Sequence, residues 1–184
     1  MRISEPLPLD DFEWVNVYNP NDYEIFVAFD GQSVLDHWKP IRVRRVRADA
    51  RQAGNPSDFP WLASQALVMR RPAMEALQGI LKVDGEILPL ATDDDVELFV
   101  FNARVKEAMD EARSSLVKFP GTNRIMLVKR IALIESAIQG ANVFRLPHRG
   151  SATYVSQHFV DRVTSAGLSG LQFNCVWTSE KDPQ

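Results

Sequence analysis

The chain has 184 residues, 45% of them hydrophobic and 24% charged, with a formal net charge of −3. That length and balance suit one globular domain with its own core and exclude a disordered low-complexity chain. Slight acidity gives no reason to expect nucleic acid or an anionic membrane as partner, and a single cysteine, Cys175, excludes an intramolecular disulfide and a cysteine zinc site.

Residues 1–11 are Pro-rich and acidic and are expected to form a loose lead-in. Met1 to Pro6 has one basic residue but no apolar run of the signal-peptide kind. No stretch reaches the roughly 18 consecutive apolar residues of a membrane span, so a cytoplasmic protein is expected. Phe12 to Tyr18 and Tyr23 to Phe29 are aromatic and β-branched runs on either side of Asn19-Pro20-Asn21-Asp22. Because Asn-Pro and Asn-Asp are turn formers, a two-stranded antiparallel unit is predicted here, ending at Asp30-Gly31. Ile41 to Arg47 alternates apolar and basic residues until Arg44-Arg45, where a bulge or strand end is expected. Residues 49–60 hold Gly54, Asn55, Pro56, Ser57 and Pro60 and read as a long loop, placed as a lobe boundary.

Pro72 to Leu81 is predicted helical, with Pro72 at the first position and Ala73, Leu77, Ile80 and Leu81 on one face. Asp84-Gly85 stops it before a short edge strand, Glu86 to Leu90, since Pro89 cannot donate to a ladder. After the acidic loop Thr92 to Asp95, Val96 to Phe101 reads as a strand. Asn102 is expected to cap a short helix carrying Val105, Ala108, Met109 and Ala112. Ile125 to Leu133 is strand-like. Ser156 is placed to cap a helix ending at Ala166, with Phe159, Val160 and Val163 inward, Gly167 in the left-handed position and Leu168 packing back. A final buried strand runs to Trp177. The class is α+β: antiparallel or mixed sheets with a few short helices. One domain spans 12–178, and 179–184 form a tail.

Chemistry-bearing patterns are sparse. Asp93, Asp94 and Asp95 with Glu97 are the densest charge cluster, but lack the alternate spacing and glycine of a calcium loop. A solvated loop is the ordinary reading and a partner-facing acidic patch the sharper one. Arg42, Arg44, Arg45 and Arg47 suit a hydrated sheet face or a phosphate site. Asp58-Phe59-Pro60-Trp61 is an aromatic loop, either a contact hot spot or a plug into the core. His37, beside Trp38 and near Asp30 and Asp36, permits an acid–base pair. His148 sits in a loop. No nucleophile elbow, phosphate loop, dinucleotide fingerprint or His-Glu-x-x-His occurs, so no cofactor is expected.

Six motifs follow in order: Asp30-Gly31, Trp38-Lys39-Pro40, Ser57-Asp58-Phe59-Pro60, Gly85 to Leu90, Phe144-Arg145-Leu146-Pro147, and Gly167 to Trp177. Together they resemble a bacterial immunity-protein family of polymorphic toxin systems, the eleventh numbered immunity family, long catalogued as a domain of unknown function. The resemblance spans residues 14 to 178 and departs from the family pattern over Val105 to Arg113. It implies an α+β antidote that binds a cognate toxin encoded beside it, with no known catalytic centre. The shared positions are turn formers and core, so partner choice is expected in charged loops. An acidic chain suits a basic toxin such as a nuclease. The contact candidates are Asp93, Asp94, Asp95 and Glu97, then Asp58 and Trp61 in the segment from Arg51. The second reading is a small hydrolase using Asp30, His37 and Glu86.

Overall fold

Ile3 is wholly buried, and this ties the first strand into the core. The computed structural model describes residues 1–46, 54–62 and 66–179. In chain order they form β1 (Arg2–Pro8), β2 (Trp14–Val17), α1 (Tyr23–Val27), β3 (Val43–Val46), β4 (Trp61–Leu62), β5 (Leu67–Arg70), α2 (Arg71–Asp84), β6 (Gly85–Pro89) and β7 (Leu98–Ala103). Then follow β8 (Ser115–Lys118), β9 (Ile125–Arg130), α3 (Glu135–Ile138), β10 (Val143–Phe144), β11 (Tyr154–Ser156), α4 (Gln157–Ser165) and β12 (Leu171–Thr178). Helices and mostly antiparallel sheets make the fold α+β, as the sequence indicated.

The expected loose lead-in is corrected by β1, an interior strand of the sheet β10-β11-β1-β12. Its pairing with β12 runs from Arg2↔Thr178 to Pro8↔Leu171, with a register shift after Ile3. Pro6 and Pro8 fit because a proline removes a donor without preventing an extended backbone. β12 is the half-buried edge of this sheet rather than a buried strand. Residues 180–184 of the expected tail, and 49–53 of the expected boundary loop, lie outside the described residues.

The run Tyr23 to Phe29, expected as a strand, is helical over α1. Asn19 is the reason: its side chain accepts the Asn21 N–H at 3.2 Å, and Pro20 opens a 3-10 turn that runs directly into the helix. An Asn-Pro pair can start a helix as readily as it turns a hairpin, because proline's missing N–H is harmless at the first position. Phe26 and Phe29, three apart, then meet edge to face at 5.8 Å. β2 pairs instead with β3 antiparallel and with β4 in parallel. β3 pairs without a break from Val43 to Val46, so of the bulge or strand end expected at Arg44-Arg45 no bulge forms, and the strand is described to Val46.

The helix expected after Asn102 also does not form. Asn102 is a buried residue of β7, and the following segment gives its backbone bonds to distant partners. Arg104 N–H donates to Asp84 O at 2.7 Å, Lys106 N–H to Arg145 O at 2.8 Å, and Asp110 N–H to Ala132 O at 2.9 Å. These tertiary bonds replace the i→i−4 ladder, so the helical spacing of Val105, Ala108 and Met109 does not decide the local structure.

The sheet β5-β7-β6 is buried on both faces, which explains why its strands read as continuous apolar runs. Val68, Leu88, Leu98 and Val100 join Val15, Val43 and Phe26 in one core. Leu67, Met69, Phe101 and Ala103 face the other way, onto Leu77 and Leu81 of α2 and Phe159 and Val163 of α4. A third cluster gathers Ile3, Ala108, Leu133, Ile138, Phe144 and Tyr154.

At the chain's end the local chemistry is as the sequence predicted. Ser156 Oγ accepts the Phe159 N–H at 3.3 Å. Gly167, at φ +65°, and Leu168 donate back to Thr164 O and Val163 O, the paired bonds of a Schellman stop. Gly170 then packs against Ser57 at φ +103°, where an added Cβ would overlap the serine side chain. Gly170→Ala is therefore expected to destabilise the fold by about 1–3 kcal/mol through backbone strain and displacement of Ser57. A lowered urea midpoint at unchanged m-value would register it.

Candidate protein-interaction site

Glu13 is 2% exposed, yet charged. It shares one face of the β2 chain segment with Val15 and Val17, because side chains two apart point the same way. Arg45 shares a face of β3 with Val43 by the same rule. The two strands thus point a carboxylate and a guanidinium towards each other, and Arg45 Nη1 donates to Glu13 Oε2 at 3.1 Å. Arg70, at the end of β5, donates Nε to Glu13 Oε1 at 3.1 Å and adds a second bond through Nη2. The Ser57 N–H reaches Oε1 at 3.2 Å. A buried carboxylate is costly to desolvate, and two guanidinium partners with a backbone donor are the arrangement that compensates it.

The acidic loop is continuous with this network. Arg45 Nε donates to Asp94 Oδ2 at 3.0 Å, and Asp94 Oδ1 accepts the Val96 N–H at 3.1 Å. Thr92 Oγ1 closes the loop on Val96 O at 2.8 Å. Asp93 accepts Arg42 Nε at 2.9 Å and the Tyr18 hydroxyl, while the Arg42 guanidinium lies 4.5 Å from the Tyr18 ring centre. The Tyr18 hydroxyl, then Arg42, hold the Asp93 carboxyl below its ordinary range. Arg71 grips Glu97 through Nε and Nη2 and keeps its carboxyl low in the same way. Asp95 has no hydrogen-bond or ion-pair partner among the described residues. The loop is consequently not a free anionic patch: Asp93, Asp94 and Glu97 face Arg42, Arg45 and Arg71, residues from the basic strand and the start of α2.

Asp58 is a latch. Its Oδ2 accepts the Ser169 N–H at 2.8 Å and Ser169 Oγ at 2.9 Å, tying two of the ordered motifs together. Phe59 is 2% exposed in the core, so this part of the loop plugs rather than projects. Trp61 is half-buried and is the register partner of Trp14 where β4 pairs with β2 in parallel. Arg51, where the candidate segment begins, lies outside the described residues, as does Arg47.

The acid–base group of the hydrolase reading is not assembled by hydrogen bonds. Glu86 is engaged by the Ser33 hydroxyl and by the Val34 N–H at 2.9 Å. Asp30 accepts the Gln32 N–H at 3.0 Å, and His37 is exposed on a 3-10 turn, its imidazole with no partner among the described residues. Partial burial works against the Glu86 charge, but the bonds from Ser33, Val34 and Asn102 outweigh it and hold the carboxyl low. Among the described residues His148 Nδ1 is buried without a partner, and burial, then the Arg145 charge, push its pKa down. Among the described residues no His, Cys, Asp and Glu group is placed to hold a metal.

Sequence reasoning missed Glu13 and Arg70. Strand periodicity could have found Glu13, because extending the Val15 and Val17 face by two residues puts it inward. Arg70 carried no comparable signal, since its partners come from a distant strand.

Residues 98–178 match the family model described as Immunity protein family (Imm11). This is the family that the ordered motifs resemble. The matched stretch runs from β7 through β12, while Asp30-Gly31, Trp38-Lys39-Pro40 and Ser57 to Pro60 precede it. No curated protein matches the chain. Among the described residues no helix is long and apolar enough to cross a membrane.

Glu13→Ala leaves two largely buried guanidiniums facing a cavity and is expected to cost about 3–5 kcal/mol in a denaturant titration. Asp93→Asn, at an exposed pair, is expected to move the same midpoint little, and less still in high salt. Glu86 adds a pH dependence. Its folded carboxyl lies below the ordinary 4.5, so its stabilisation is complete above that value and is lost as pH falls through the folded pKa. Glu86→Gln should be less stable than wild type at neutral pH, with the gap closing in acid. A gap independent of pH would contradict this.

Proposed function

We propose that this chain is an immunity protein that neutralises a cognate toxin by binding it directly. The observation that carries the reading is the family match over 98–178, supported by the ordered motifs on its N-terminal side. Two of those motifs dock through Asp58 and Ser169, so what the chain shares with the family is a way of building the scaffold. A binding antidote needs a rigid surface and high affinity, and it needs no catalytic group. The engagement of Glu86 by Ser33 and Val34 accords with that division of roles.

Within the acidic loop, contact with the toxin falls to Asp95, because its neighbours Asp93 and Asp94 and nearby Glu97 already face arginines of the same chain. Asp58, which holds Ser169, is the weaker of the remaining candidates, and the half-buried Trp61 stays a candidate contact. The test is co-expression with the toxic protein encoded beside the gene. Growth should be restored by the wild-type chain, with the two proteins co-eluting as a stable complex; continued toxicity at full expression would end the reading. Asp95→Asn is expected to weaken the complex by only about two- to fivefold, the scale of one exposed charge contact.

A further inference from the structure

The positive charges of this chain are not evenly matched. Arg42, Arg45, Arg70 and Arg71 are all matched to carboxylates of the chain itself. Segment 115–130, by contrast, carries Lys118, Arg124, Lys129 and Arg130 and no acidic residue, in a chain whose net charge is −3. Lys118 pairs with Glu111 at 3.2 Å. Arg130 reaches only the Arg113 carbonyl, at 3.3 Å, and the Arg124 guanidinium lies 5.5 Å from the Phe119 ring centre. Among the described residues, Arg124, Lys129 and Arg130 have no carboxylate partner.

The backbone of the same segment is also unpartnered. β8 and β9 form a two-stranded antiparallel ribbon, with register shifts at both ends of the Leu116–Val117 pairing and no third strand among the described residues. Its outer edges therefore carry unpaired ladder groups. Phe119, Met126 and Leu127 are 43%, 52% and 52% exposed on it, a local concentration of large apolar side chains in water. Beside the ribbon lies an open groove of about 660 Å³, lined by Phe119, Arg124 and Met126 together with Glu107, Glu111 and Arg149.

We infer that the β8–β9 ribbon is the docking surface for the toxin, and that the toxin presents an apolar patch ringed by carboxylates. This rests on the immunity reading and adds the surface and the chemistry of its partner. Charge complementarity selects the occupant. A cationic ribbon on an otherwise acidic protein draws a carboxylate-rich surface to one place while the remainder repels it, which orients the encounter. The exposed Met126 and Leu127 then supply apolar area of the kind that the core of a protein interface buries, and the open edges allow a partner strand to add. The expectation of a basic toxin is replaced locally by an acidic contact patch.

The test compares wild type, Arg124→Glu/Lys129→Glu and Met126→Ser/Leu127→Ser, with the toxic neighbour protein as probe. All four positions are exposed, and unchanged thermal midpoints verify that the variants fold. Charge reversal should weaken binding by about tenfold or more at low salt, with a smaller loss at high salt. The serine pair should weaken it similarly at both salts. If wild type rescues growth and both variants bind within about twofold of it, the ribbon is not the interface. If wild type itself neither binds nor rescues, the immunity reading falls and this surface with it. Ribbon-dependent dimerisation in sedimentation, or ribbon-dependent retention of a single-stranded oligonucleotide, would assign the surface to another occupant and overturn the proposal.

Discussion

Glu13 is a carboxylate at a position where a strand face otherwise carries valine. Burying it obliges β2, β3, the end of β5 and the loop at Ser57 to converge, since each supplies a donor that the charge requires. A hydrophobic residue there could pack in several ways, whereas an ion with two guanidinium partners permits few geometries. The constraint extends outward, because Arg45 bonds Asp94 as well as Glu13. The acidic loop, the basic strand and the buried core are therefore parts of one arrangement.

That arrangement has a functional corollary. Charges that satisfy one another within the chain are poor candidates for recognising a partner, because breaking an internal pair offsets what a new contact contributes. Arg42, Arg45 and Arg71 and the carboxylates of 92–97 belong to this class, apart from Asp95. Arg124, Lys129 and Arg130 of the β8–β9 ribbon do not. Internal charge matching therefore points away from the most acidic stretch and towards a ribbon that composition alone did not mark.

Much of the scaffold was legible because its signals are local. The Ser156 cap, the Gly167 stop, Pro72 at the start of α2 and the edge position of β6 each follow from the backbone preferences of one or two residues. Failures occurred where distant groups decided the outcome. Val105 to Ala112 had helical spacing but gives backbone bonds to Arg145, just after β10, and to Ala132, just after β9. Tyr23 to Phe29 had strand composition, yet Asn19 and Pro20 start a helix upstream of it. Residues 2–8 looked loose because two prolines hide an interior strand whose partners come from the far end of the chain. The same division applies to the candidate site: Asp93 to Glu97 stood out as a charge run, while the arginines that engage them are some 25 to 50 positions away.

The fold thus keeps its acidic loop and its buried ion network as structure, and leaves one cationic, apolar ribbon open. Amide hydrogen exchange of the chain, alone and in complex with the toxin, tests this most directly. The account predicts the largest gain in protection across residues 115–130, with at most a small change over 92–97. Protection centred on the acidic loop, with an unaltered ribbon, would contradict it.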